Sequence, residues 1–246
     1  MKRRDNYSKQ QPHYHHTRQF PSSSNNPNMA TQYNTNTNYY NPSSSSSSLT
    51  ATYWITVGGR SIYTTVTSDP LVVDRWVGDV TARTYRKGLV VGLDCEWRPS
   101  FTKGRTNKVG LIQLCVGSKC LTVQLLYTTN RHCGLLSFLL DPTINFVGVG
   151  IDGDARKLVY DHGIRVGGRR YDLAELAASR LHRKELRKQG LKGLAREILG
   201  IDMLKPKTIT LSNWSAMYLS DEQIEYACID AYVSFSIGMK LLGRWR

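Results

Sequence analysis

No stretch of this 246-residue chain approaches the roughly 18 consecutive apolar residues that cross a bilayer, so a membrane-spanning helix is excluded. The N-terminus opens Met1-Lys2-Arg3-Arg4 with no apolar run behind it, which argues against a secretory signal. Cysteine is sparse and odd in number: Cys95, Cys115, Cys120, Cys133 and Cys228 lie scattered through apolar segments. None has the spacing of a zinc site or a dithiol pair, so a reducing compartment without structural zinc is expected. Acids are scarce, 19 Asp+Glu against 33 Lys+Arg, leaving a formal charge of +14. A polyanionic partner follows most simply from that excess, and nucleic acid is the commonest one. No internal repeat is present, and the length suits one compact domain with a tail.

The tail is defined by further absences. Residues 1–50 hold no Val or Ile, one Leu (Leu49) and one acid (Asp5), against 10 Ser and 8 Asn. Such a segment buries too little apolar surface to offset its ordering entropy, and disorder is expected. Alternation of Tyr33, Tyr39 and Tyr40 with Asn34, Asn36 and Asn38 gives it a mild prion-like character. Three readings of its role stay open. It fits a plain solvated tail; Lys2-Arg3-Arg4 fits part of a nuclear signal; and its Ser-rich, acid-poor composition fits an organellar transit peptide. Nucleus and cytoplasm are the expected locations, with an organelle as the third.

The body begins near Ala51. Residues 52–57 and 61–67, rich in Thr, Val, Ile and aromatics, flank Gly58-Gly59-Arg60 and predict a β-hairpin. Ser68-Asp69-Pro70 has the form of a helix start, with Leu71, Val72, Trp76, Val77 and Val80 at helical spacing. Strands are predicted over 88–97, 109–116 and 120–126, a helix around 134–140 and a fourth strand over 145–150. Helices follow over 153–162, 172–182, 190–199 and 221–242. Asp172 with Glu175, and Ser220 with Gln223, have the spacing of capping boxes. Strands first and helices after indicate a mixed α/β sheet covered by helices.

Three places put carboxylates on apolar elements. The run Leu89-Val90-Val91-Gly92-Leu93 reads as a buried strand, yet ends in Asp94-Cys95-Glu96-Trp97. Strand side chains alternate, so Asp94 and Glu96 project from one face. Two adjacent carboxylates repel and are costly to desolvate. Either a divalent cation offsets that cost, or the strand ends in solvent. A second apolar run, Phe146 to Ile151, leads into Asp152-Gly153-Asp154. An acid there can cap the following helix, a role suited to Asp152, whereas Asp154 in the first turn can point over the strand ends. In the last helix Tyr226 and Asp230 stand at i and i+4 on a stripe shared with Val233 and Ile237. There too, a buried Asp paired with an Arg and a core Tyr bonding through its hydroxyl is the plainer alternative.

Asp94-x-Glu96, Gly150-x-Asp152-x-Asp154 and Tyr226-x-x-x-Asp230, in that order, resemble the DEDD superfamily of 3′–5′ exonucleases, whose fold is RNase H-like. Glu225 stands where one branch has His, and Tyr226 places the resemblance in the tyrosine (DEDDy) branch. Leu93-Asp94-Cys95-Glu96-Trp97, the Gly-Leu-Ile-Gln-Leu-Cys run at 110–115 and Val149-Gly150-Ile151 are similar to the Werner syndrome exonuclease subgroup. Leu191-x-x-Leu194-Ala195, Asn213-Trp214-Ser215 and Gln223-x-x-Tyr226-Ala227 extend the similarity over roughly residues 85–243.

The resemblance implies an RNase H-like mixed sheet flanked by helices, carrying the hairpin at its start. It implies that Asp94, Glu96, Asp154 and Asp230 hold two divalent ions, Mg²⁺ or Mn²⁺, with Asp94 bridging and Asp152 outside the set. Tyr226 would orient the attacking water, since a free phenol with a pKa near 10 is a poor base at neutral pH. The implied reaction is phosphodiester hydrolysis from the 3′ end of nucleic acid, DNA in the first instance. The alternatives are RNA 3′-end trimming or an inactive nucleic-acid-binding scaffold. No G-x-x-x-x-G-K-[ST] phosphate loop is present. An exonuclease without a helicase motor is thus expected, with strand opening left to frayed ends, a helicase or another protein partner. A homo-oligomer is compatible with the sequence.

For substrate contacts the densest cations are Arg180, Arg183, Lys184, Arg187, Lys188 and Lys192. They lie in a stretch from Arg165 to Lys207 with twelve Lys/Arg and five Asp/Glu. Arg183, Lys184 and Lys188 are expected to track phosphates, unless the stretch is simply a solvated helical face. Trp97 and Phe101 are placed to stack on a terminal base, with core packing as the other reading for Trp97.

Overall fold

The computed structural model describes residues 36–38, 50–82, 88–128 and 133–244. The hairpin forms where expected: β2 (Thr50–Val57) and β3 (Arg60–Thr67) are joined by Gly58-Gly59. Both glycines have positive φ, 55° and 76°, which a two-residue turn between twisted strands requires. A short β1 (Asn36–Asn38) pairs antiparallel with β2. Of residues 1–50, where disorder is expected, only 36–38 and Thr50 are among the described residues. Without β1, the outer edge of β2 would carry a row of unpaired backbone groups.

Helix α1 (Pro70–Ala82) starts on Pro70, and the Asp69 carboxylate accepts from the Leu71 N–H at 2.9 Å. Next come β4 (Val90–Glu96), β5 (Leu111–Val116), β6 (Lys119–Gln124), α2 (Cys133–Leu140) and β7 (Asn145–Gly148). Helix α3 (Ile151–His162) begins two residues earlier than the pattern predicts. A further strand, β8 (Arg169–Asp172), precedes α4 (Leu173–Arg180) and was not anticipated. Its four residues, Arg-Arg-Tyr-Asp, carry no apolar alternation because it lies at the sheet edge, parallel to β7. The helix expected over 190–199 is an α segment, α5 (Leu191–Leu194), that widens into a π turn over Ala195–Leu199. A single turn, α6 (Lys207–Thr210), and the long α7 (Asp221–Leu241) complete the chain.

The sheet runs β1-β2-β3-β6-β5-β4-β7-β8. It is mixed: β3–β6, β4–β7 and β7–β8 are parallel, the remaining neighbours antiparallel. One face is sealed by α7, α4 and α5 through Leu173, Ala177, Leu194, Cys228 and Ile237. The other is sealed by α1, α2 and α3 through Val73, Trp76, Leu135, Phe138 and Leu158, packed on Phe146 of β7. This is the two-sided cover that an apolar central sheet demands.

Two details of backbone placement fix where the helices stand against the strand ends. The first is Gly92, in the middle of β4, where a Cβ would press into the Ala231 carbonyl oxygen and the Phe235 nitrogen of α7. Only a bare backbone lets α7 lie this close to β4. The second is the Asp172 carboxylate at the end of β8. Its Oδ1 accepts from the Ala174 and Glu175 N–H groups at 2.9 and 3.2 Å, and its Oδ2 from Gly150 N–H at 2.7 Å. One side chain thus ties the start of α4 to the start of α3. Gly92→Ala is expected to destabilise the fold by about 3 kcal/mol, the upper end of overpacking costs. The readout is a lowered urea midpoint; an unchanged midpoint would mean that α7 stands off from β4.

Candidate active site

Strand β7 pairs with β4 only as far as Gly92, so the last four residues of β4 run on beside β5 alone. Asp94 and Glu96 occupy that overhang, on one face as strand alternation requires. Where β7 stops, the chain turns into α3, and Asp154 lies buried in its first turn. Across the same opening runs α7, started by a reciprocal capping box between Ser220 and Gln223. One and two turns in, it presents Tyr226 and Asp230, the latter 2 % exposed.

These elements bring carboxylate oxygens of Asp94, Glu96 and Asp230 within 4.8 Å of one another. Asp154 completes the group electrostatically, since its charge acts on both Asp94 and Glu96. Burial is the main reason that all four hold their protons more tightly than ordinary carboxylates. Asp94 is raised by burial and then by the charges of Asp230, Glu96 and Asp154. Burial, with Asp230 next, pushes Glu96 up to about 8, and burial pushes Asp154 up to about 7. Asp230 is raised by burial and pulled back by Lys205.

Lys205 had no part in the expectations drawn from sequence. Its Nζ lies 2.7 Å from Asp230 Oδ2 and 5.1 Å from the centre of the Tyr226 ring. It reaches the cluster from the coil before α6, where no periodicity marks its direction. The other oxygen of Asp230, Oδ1, is buried without a hydrogen bond of ordinary geometry among the described residues. A buried, unpartnered carboxylate oxygen within a set of hard oxygen donors fits a divalent cation such as Mg²⁺ or Mn²⁺.

Tyr226 is fixed from behind. The fully buried Trp214 sits 5.7 Å from its ring and donates through Nε1 to Thr210 C=O at 3.3 Å. Gln223 Nε2 donates to Ser212 Oγ at 2.8 Å, and Tyr127 O–H to Ser215 C=O at 2.6 Å, holding the 212–215 loop on both sides. Burial, then the charges of Asp230 and Glu96, push the phenol above its usual value. It therefore stays protonated at neutral pH.

The other residues singled out from sequence have different surroundings. Asp152 caps nothing; it is exposed and paired with Arg170 at 2.6 Å, while the helix N-cap is Gly150. Trp97 packs against the core, with Lys157 Nζ 5.1 Å above its ring. Arg183 is held by Glu185 at 2.7 Å and by Glu197, and Arg187 by Glu175 at 2.8 Å. Lys184 and Lys188 are exposed in the 3₁₀ turn that packs on α4. Among the described residues, nothing brings these cations into contact with the acid cluster.

Comparison with known proteins gives the chain its class. Residues 78–244 match the family model described as 3′–5′ exonuclease. The chain belongs to that 3′–5′ exonuclease family, a group of hydrolases. A 3′–5′ exonuclease of Arabidopsis thaliana is 38 % identical over 148 residues, 60 % of this chain and 50 % of that protein. The bifunctional 3′–5′ exonuclease/ATP-dependent helicase WRN of Mus musculus is 37 % identical over 155 residues, 63 % of this chain and 11 % of that protein. The match thus spans half of the first relative and about a tenth of the second. In fold, the chain is similar to Escherichia coli RNase D, with a TM-score of 0.60 at 23 % identity, covering 73 % of this chain and 44 % of that one.

The crowded acids make stability depend on pH in a defined direction. Their folded-state values lie above the unfolded carboxylate range, so between about pH 4 and 8 the folded state binds more protons than the unfolded one. Stability then falls as pH rises through that window, by roughly 1.4 kcal/mol per pH unit for each proton held in excess. Urea unfolding in EDTA is expected to show that fall, and millimolar Mg²⁺ or Mn²⁺ to flatten it. A metal-free protein equally stable at pH 5 and pH 8 would contradict the packing described.

Proposed function

We propose that this domain hydrolyses phosphodiester bonds from the 3′ end of nucleic acid, with two divalent ions held by Asp94, Glu96, Asp154 and Asp230. The observation that carries this reading is the convergence of β4, α3 and α7, where acids outnumber the one cation seen among them in the described residues, Lys205. Ions bound there would polarise the phosphoryl oxygens and activate water.

The protein's own contribution is positioning. Tyr226, protonated and braced by Trp214, orients the attacking water through its hydroxyl and does not serve as the base. Asp230 stands one turn further along α7, on the same helix face as Tyr226. β4 runs on past its last pairing with β7, and both α7 and α3 pack against it. An inactive scaffold has no use for this costly cluster of acids.

DNA is the polymer that the subgroup resemblance suggests, and one experiment addresses both the activity and the polymer. Purified protein with Mg²⁺ or Mn²⁺ is given end-labelled DNA and RNA, each single-stranded and 3′-recessed. A ladder shortening from the 3′ end, abolished by EDTA, is expected. Asp94→Asn should lower turnover by about 10³-fold or more while substrate binding persists. Tyr226→Phe should lower it by about 10- to 100-fold through lost orientation. Tight binding of either polymer without metal-dependent cleavage would replace the enzyme reading with a binding one.

A further inference from the structure

The chain from Trp97 to Leu140 contains no acid, and its first part forms a loop immediately beyond Glu96. That loop is pinned to α3 by Lys157. Its Nζ donates to Thr106 Oγ1 at 3.0 Å and Asn107 C=O at 2.7 Å, and it pairs with Asp161 at 2.9 Å. Asp161 Oδ2 in turn accepts from the Val109 N–H at 2.8 Å. Within the loop, Asn107 Nδ2 donates to the Arg98 carbonyl at 2.9 Å. The loop is therefore held in one shape while its outward side chains remain unused.

Those side chains form a chemical set. Arg98, Phe101, Arg105 and Tyr160 line an open cavity of about 570 Å³. Phe101 is 91 % exposed and Tyr160 87 %. Arg98, Lys103, Arg105 and Lys108 are exposed, and none has a salt bridge among the described residues. This contrasts with Arg183 and Arg187, whose guanidiniums are occupied by glutamates. Tyr160 lies six residues along α3 from Asp154, about 9 Å at the helical rise.

We propose that this loop, together with Tyr160, binds the single strand of nucleic acid that leads into the acid cluster, beyond the nucleotide being removed. Free cations take the phosphates, and the exposed rings stack on bases. A single strand is the occupant because base faces are available for stacking only when the bases are not paired within a duplex. The inference rests on the nuclease reading for its substrate, but its test does not depend on cleavage.

Binding of a fluorescein-labelled 20-nucleotide single strand is measured by anisotropy in EDTA, across a salt series. Phe101→Ala and Tyr160→Ala are each expected to weaken binding by about 5- to 100-fold. Phe101→Trp should restore it, a rescue that a merely structural role for the ring would not produce. Arg98→Gln and Arg105→Gln should each reduce the slope of log K against log salt by about 0.7. Unchanged binding in all four variants would overturn the proposal, as would a loss found only in Lys184→Gln and Lys188→Gln, which would move the path to the α4–α5 face. If wild-type protein cleaves nothing with metal while the loop variants still lose binding, the surface stands and the nuclease reading fails. If wild type cleaves and the variants bind normally, the reverse holds.

Discussion

Like charges held together out of water are the constraint around which this molecule is built. Four carboxylates on three elements meet in one place; burial raises the cost of ionising all four, and the charges of their neighbours raise it further for Asp94 and Glu96. Nothing in the local preferences of a strand or a helix favours that. It is enforced from a distance, by the bare backbone of Gly92 that lets α7 settle onto β4, and by Asp172, which anchors the start of α3 beside the strand ends. Large apolar surfaces on both faces of the sheet supply the free energy that holds these elements in place.

The sheet is also asymmetric in a way that serves the site. On one side of β4, β5 continues alongside to the last residue; on the other, pairing with β7 ends at Gly92. The Asp94–Glu96 end of β4 is therefore without a strand partner on that side. A strand pair of equal length would have covered it with backbone. The exposed cations divide into two populations. On the 183–188 turn both arginines are paired with glutamates, whereas on the 98–108 loop, where the chain carries no acid, no cation has a salt bridge among the described residues.

Much of this was legible in the residues, and the illegible parts share a cause. Asp94 and Glu96 announce themselves because an apolar strand has no other reason to end in two acids on one face. Tyr226 and Asp230 do so because an i, i+4 polar pair interrupts a core-facing stripe. The hairpin and the caps of α4 and α7 follow from short-range chemistry. What escaped depends on contacts between segments distant in the chain. Lys205 meets Asp230 across 25 residues from a coil without periodicity. Strand β8 is defined by its pairing and not by its side chains. The pairing of Arg183 with Glu197 is invisible to a count of charges along the sequence, which credits the turn with more available charge than it has.

Lys205 has one further consequence. An ammonium inside the acid cluster is a counter-charge encoded in the chain itself, present from synthesis and independent of supply. A divalent ion bound at Asp230 would meet that ammonium 2.7 Å from the same carboxylate, so the lysine and the ion would compete for one charge.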